Sequence, residues 1–209
     1  MCRPAVAVLI SLLLGWIPGV LADPAAASGS GSQTVVRLGI DPSFPPVEFV
    51  DAQGRHAGLV ADYLALLSQR SGLRFEPQLG LSWEAAYRRG LSGEIDVFAS
   101  VARTPEREND FSFIGPYLTL PSLVITRRDY PGIGTLERLG GETLAVVAGY
   151  AEVDLIRRHY PEIRMLRVAS VAEGLKAVAR GEATATLTGQ AVYLHEMQRL
   201  GLSNLKAGG

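Results

Sequence analysis

The chain reads as an α/β protein built from two successive βαβ units, each expected to form one lobe. Short β-rich runs alternate with segments of helical period from Val35 to Leu200, the pattern of parallel strands joined by crossover helices. The same local grammar occurs twice. Arg89-Gly90-Leu91-Ser92-Gly93-Glu94-Ile95-Asp96-Val97-Phe98 and Ala177-Val178-Ala179-Arg180-Gly181-Glu182-Ala183-Thr184-Ala185-Thr186 each run from a helix end through Gly-Glu into a strand. Roughly 175 residues follow Gln33, room for one large or two small α/β domains.

At the N-terminus, Arg3 gives a positive region, Ala5 to Ile17 an apolar core, and Pro18-Gly19 a break. Val20-Leu21-Ala22 then offers a cleavage site before Asp23, so residues 1–22 read as a cleaved secretory signal peptide and the mature chain as secreted. The apolar run stops short of the roughly 20 residues that a membrane span needs. An uncleaved anchor is the other reading, and Ala25-Ala26-Ala27 is a second possible cleavage site. Residues 23–33 are small and polar, a flexible linker.

Val35 to Ile40 forms the first strand and Asp41-Pro42 breaks it. Extended chain resumes at Glu48-Phe49-Val50 and turns at Asp51-Ala52-Gln53-Gly54. Val60, Leu64 and Leu67 repeat at helical spacing from Leu59 to Ser71, and Gly72 suits the C-terminal cap. Leu73 to Gln78 is a strand, Ser82 caps a helix to Leu91, and Ile95 to Ser100 is the next strand. In the second unit, strands at 144–147, 163–168 and 183–188 alternate with helices at 151–160, 171–180 and 190–200.

The segment Ile95 to Arg107 carries most of the chemistry. Small residues close its strand, Thr104 can cap a helical turn with Pro105 at its first position, and Arg107 lies beside free backbone N–H groups. That combination describes a pocket for an anion, most simply a carboxylate. Ligands of open α/β sheets sit beyond the carboxyl ends of the strands. Those ends hold Asp41, Ser100, Gly149 with Tyr150, and Thr188 with Gly189. Facing lobes would bring all four together. Blander readings stay open: Arg107 as a helix-start residue paired with Glu106 or Asp110, Asp41 as a turn former, and Trp83 as core. Tyr117 is expected at the hinge and Asp96 in a structural hydrogen bond.

A formal charge of −1, or −2 without Arg3, supplies no basic field for nucleic acid. The single cysteine, Cys2, precedes the leader's apolar core, so the mature chain has no thiol ligand or disulfide. His56, His159 and His195 lack metal-ligand spacing, and no phosphate loop or nucleophile pair occurs. No metal, cofactor or catalytic activity is expected.

Several motifs resemble the bacterial periplasmic solute-binding proteins of family 3. They are Gly39-Ile40-Asp41 with Phe44-Pro45-Pro46, Asp51-Ala52-Gln53-Gly54 with Gly58, Ser92-Gly93-Glu94-Ile95-Asp96, Thr104-Pro105-Glu106-Arg107, and Asp110-Phe111-Ser112 with Pro116-Tyr117. Gly149-Tyr150, Tyr160-Pro161-Glu162-Ile163 and Leu200 to Lys206 look most like the flytrap sensor domains of Bvg-type hybrid histidine kinases. The resemblance implies a type II two-lobed fold, with residues 34–121 as lobe 1 and 122–209 as lobe 2. It implies that Arg107 holds a ligand carboxylate, Ser100 adds a hydroxyl or backbone contact, and Asp41 lies near the cleft. Phe44 and Trp83 would wall the ligand, while Gly149, Tyr150 and Ala151 would offer backbone N–H groups. A small anionic metabolite is the implied ligand, and an inner-membrane permease or a sensor kinase the implied partner.

Two departures qualify this. Amino-acid binders carry an acid about where Gly189 stands, so an α-amino acid is in doubt as the ligand. The family's chain also returns to lobe 1, whereas this one ends at Lys206-Ala207-Gly208-Gly209. Lobe 1 is therefore expected to lack its return segment, as in a fragment. The alternatives are an amino-acid-binding protein of an ABC transporter and an enzyme resembling the cyclic-carboxylate dehydratases. The enzyme's acid or base would be Asp41 or Glu48, neither of which has a tuning partner visible in sequence.

Overall fold

A computed structural model describes residues 33–132 and 134–208. The expected signal peptide, and the linker up to Ser32, lie outside the described residues.

The first lobe is a βαβαβ unit: β1 (Val35–Gly39), α1 (Leu59–Ser71), β5 (Arg74–Pro77), α2 (Trp83–Leu91) and β6 (Val97–Phe98). Three short strands, β2 (Ser43–Phe44), β3 (Glu48–Val50) and β4 (His56–Ala57), make an antiparallel ribbon before α1. The main sheet is parallel, in the order β5-β1-β6. Its helices end as their sequence dictates. Gly72 takes a left-handed conformation at φ 73° and caps α1. The Ser82 hydroxyl accepts from Ala85 N at 3.2 Å, satisfying one of α2's free amides. Strand β6 is shorter than the expected 95–100. Asp96 accepts from the Arg37 amide at 2.7 Å and from its guanidinium, which ties the strand entry to β1, and the chain leaves the sheet after Phe98.

The second lobe contains β7 (Ser122–Arg127), β8 (Thr143–Val147), α3 (Ala151–His159), β9 (Arg164–Val168), α4 (Val171–Arg180), β10 (Ala185–Gly189), α5 (Gln190–Leu200) and β11 (Leu205–Ala207). Its sheet order is β11-β7-β10-β8-β9. Strands β8, β9 and β10 are parallel, but β7 runs antiparallel to both β10 and β11. The expectation of purely parallel sheets is therefore corrected: the second sheet is mixed, because the connection from the first lobe enters it as a strand. Helix α4 is tightly specified. The Ser170 hydroxyl accepts from Glu173 N, the Glu173 carboxylate accepts from Ala169 N at 2.9 Å, and Gly181 ends the helix at φ 78°.

The repeat seen in sequence is a repeat of topology. In each lobe the first strand of the unit is central, flanked by the second and third, giving β5-β1-β6 and β9-β8-β10. The order reverses between first and third strands, and a crevice opens at that switch point beyond their carboxyl ends. One apolar cluster includes Leu38, Ile40, Val47 and Val60 of the first lobe and Ile125, Val147, Val171 and Leu175 of the second. The lobes are thus packed against each other.

Candidate functional site

The switch points of both lobes face each other, and Gly149 is the centre of the meeting. It follows β8 at φ +79°, the left-handed region that favours glycine. A Cβ here would lie 3.3 Å from Glu84 Cα and 3.4 Å from Trp83 Cδ1. This close approach lets the Gly149 carbonyl accept two bonds from the first lobe, one from Trp83 Nε1 at 2.9 Å and one from the Arg107 guanidinium at 2.9 Å.

Arg107 is 4% exposed. Its amide donates to Thr104 Oγ1 at 3.3 Å, as the capping signal implied, and its second guanidinium arm donates to Ala102 O at 3.1 Å. The guanidinium lies 5.0 Å from the Tyr87 ring centroid and 6.0 Å from that of Trp83. No carboxylate among the described residues forms an ion pair with it. Glu106, one of its possible partners from sequence, instead pairs with Arg158 of α3 across the cleft. Ser100 lies half-buried just past β6.

Tyr150 fills the rest of the crevice. Its hydroxyl donates to Asp41 Oδ2, and its ring packs edge-on against Phe44 and Trp83, with centroids 6.1 Å apart in both cases. Burial and the Asp41 carboxylate push the Tyr150 phenol well above its ordinary value. Asp41 also accepts from Ser43 N at 2.9 Å. Burial is the main cause that raises its carboxyl to about 6, against the lowering effect of the Tyr150 and Ser43 bonds.

Several expectations need correction at this point. The Tyr150 amide is spent on Val147 O at 3.1 Å, so it does not fit the expected role of a free N–H donor, while Gly149 presents its carbonyl to Arg107. Ala151 opens α3 beside them. Trp83 is both core and cleft wall: it is buried, packs on Phe98, and still reaches Gly149. The expectation that Asp41 and Glu48 lack partners also fails. Glu48 is fully buried, accepts from the Asp41 amide at 3.0 Å, and meets His56 Nε2 at 3.1 Å. Nothing in the sequence flagged His56, because a β3–β4 pairing places Val50 opposite it and turns its ring inward. Tyr117 is where it was expected, beside the inter-lobe connection, with its ring stacked 4.6 Å from Tyr63. Asp96 makes the expected structural bonds to Arg37. Gly189 packs against Leu120 and leaves no acid at the end of β10.

Beside this closed crevice lies a cavity of about 560 Å³. Ala102 and Thr104 of the first lobe form one wall, and α3, β7 and β10 the others.

Residues 36–199 match the family of bacterial extracellular solute-binding proteins, family 3. The chain belongs to that family. Among its relatives is the virulence sensor protein BvgS of Bordetella pertussis, 29% identical over 156 residues. That match covers 75% of this chain but 13% of the relative, so the chain spans a small part of the sensor's length. The amino-acid-binding protein AabA of Dichelobacter nodosus is 25% identical over 170 residues, covering 79% of this chain and 66% of the relative. The crystal structure of the Bordetella pertussis BvgS periplasmic domain superposes with a TM-score of 0.71 at 27% identity, over 83% of this chain and 34% of that one. A histidine kinase sensor domain similar to periplasmic binding proteins shares the fold, with a TM-score of 0.78 at 23% identity over 85% and 78% of the two chains. This family-3 chain therefore has the two-lobed fold of solute-binding and ligand-sensing domains, and its relatives are binding and sensor proteins.

Proposed function

We propose that the chain captures a small carboxylate solute between its lobes, with Arg107 as the anchor. The observation that carries this reading is a buried guanidinium whose hydrogen bonds go to two neutral carbonyls and whose faces meet aromatic rings. A carboxylate offers the same arm a charge-assisted and bidentate alternative. The Gly149 carbonyl then holds the place of a ligand oxygen, and capture exchanges one for the other. Asp41, Phe44, Trp83, Ser100, Tyr150 and Ala151 border the exchange.

Residues 34–121 serve as the first lobe and 122–209 as the second, placed in the periplasm by a signal peptide over residues 1–22. Hinge closure on a solute is the signal in a sensor kinase and the docking form for an inner-membrane permease. The amino-acid-binding relatives favour a second reading, an amino acid as solute and an ABC transporter as partner. Gly189 argues against it, since nothing at the end of β10 pairs with an ammonium.

Thermal-shift titration of the full chain tests both. Small carboxylates are expected to raise the melting temperature in a saturable way, Arg107→Ala to abolish the rise, and Arg107→Lys to keep part of it. An equal rise in wild type and Arg107→Ala removes Arg107 from the role. A rise with an amino acid but none with its deaminated acid establishes the second reading.

A further inference from the structure

We propose that the cavity between α3, the 102–104 loop and the β7–β10 face is a second ligand site, one that takes a small organic cation with an apolar body. It adjoins the Arg107 crevice, with Ala102 and Thr104 forming the shared wall. Its volume of about 560 Å³ falls within the range of small-molecule sites. Val124, Leu136, Leu155 and Leu187 give it an apolar floor. Among the described residues, its only charged lining groups are two carboxylates, Glu137 and Glu152. No lysine, arginine or histidine among them lines it, so an anion would meet two like charges.

The two carboxylates differ. Glu137 is fixed at the rim: its own amide and the Tyr160 hydroxyl, at 2.9 Å, hold it below its ordinary range and keep it ionised. Glu152 is half-buried in the first turn of α3. Burial raises its carboxyl, while its own amide and the charge of Arg107 lower it only in part. No other residue's side chain forms an ion pair or hydrogen bond with the Glu152 carboxylate among the described residues. A half-buried carboxylate lining an apolar cavity is the partner a primary ammonium needs, and the floor suits a hydrocarbon body. Cation binding favours the ionised form of Glu152, so it expels a proton wherever that carboxyl is partly protonated, and it weakens as pH falls.

Calorimetric titration of the full chain with 2-phenylethylamine is the direct test, with 2-phenylethanol and 3-phenylpropionate as neutral and anionic counterparts. The amine is expected to bind saturably, at least tenfold more tightly than the neutral counterpart, and to be undisplaced by the anionic one. Glu152→Gln should weaken it at least tenfold, and Leu155→Trp, which fills the cavity from the same face of α3, should abolish it. Loss of carboxylate capture in Arg107→Ala is read separately, by the thermal-shift titration. The proposal is overturned by absence of amine binding, by equal binding to Glu152→Gln, or by a carboxylate that displaces the amine.

Discussion

Asp41 shows how one residue couples the cleft to pH. Its carboxyl stands at about 6 in the folded chain, against about 4 in an unfolded one. The folded state therefore holds this proton more tightly. Its stabilising contribution is complete below about pH 4 and is lost as pH rises through about 6. A difference of that size corresponds to roughly 3 kcal/mol as an upper bound. Urea unfolding of wild type and Asp41→Asn between pH 4.5 and 7 should show wild type losing stability relative to the variant by up to that amount. Identical pH slopes would show that the Asp41 proton does not contribute. The side-chain amide introduced by Asp41→Asn can still accept from Tyr150 or Ser43, so the comparison isolates the charge. Other carboxylates work in the opposite direction at lower pH. Asp96, held at about 2 chiefly by the Arg37 hydrogen bond, loses its contribution only on strong acidification.

At the scale of elements, the β8–α3 turn decides how closely the lobes meet. Gly149→Ala places a Cβ against Glu84 and Trp83 in a backbone region that costs a non-glycine residue about 1–2 kcal/mol. Its stability in urea unfolding should drop by more than that backbone cost, whereas Gly54→Ala, also at positive φ but with open space around it, should pay the backbone cost alone. If the two variants lose the same stability, the contact with α2 has no energetic weight. Elements of this kind were legible in the sequence because their signals are local. Ser82 announces a helix start, Gly72 and Gly181 announce ends, and the strand ends carry the residues that meet in the crevice. Strand β7 was not foreseen, since the apolar run Leu123 to Ile125 is short and its pairing with β10 lies some sixty residues away. The Tyr150–Asp41 bond spans 109 residues, and the Glu48–His56 pair depends on the register of a ribbon two residues wide. Neither has a local signature. That is why Tyr150 was expected as an amide donor, when its amide bonds Val147 and its hydroxyl reaches Asp41.

For the whole molecule, the closed arrangement is held by bonds that a ligand must displace or rearrange. Trp83 and Arg107 hold Gly149, Tyr150 holds Asp41, and Glu106 pairs with Arg158. A solute that competes with these contacts binds the molecule only in the fraction of time that they are open, so its apparent affinity is reduced by that fraction. Weakening a self-contact should then tighten capture, the reverse of what loss of a ligand contact does. Tyr150→Phe removes the hydroxyl and keeps the ring between Phe44 and Trp83. A net hydrogen bond of about 1 kcal/mol corresponds to roughly a fivefold gain in apparent affinity. The reporter is built in: Trp16 and Trp83 are the only tryptophans, so a Trp16→Phe background leaves fluorescence from Trp83 alone, whose indole donates to Gly149. Titrating that background with the tightest carboxylate of the thermal-shift panel, with and without Tyr150→Phe, gives both affinities. A several-fold gain supports a self-closed resting form. Equal or weaker binding in Tyr150→Phe means that the hydroxyl serves the ligand rather than competing with it.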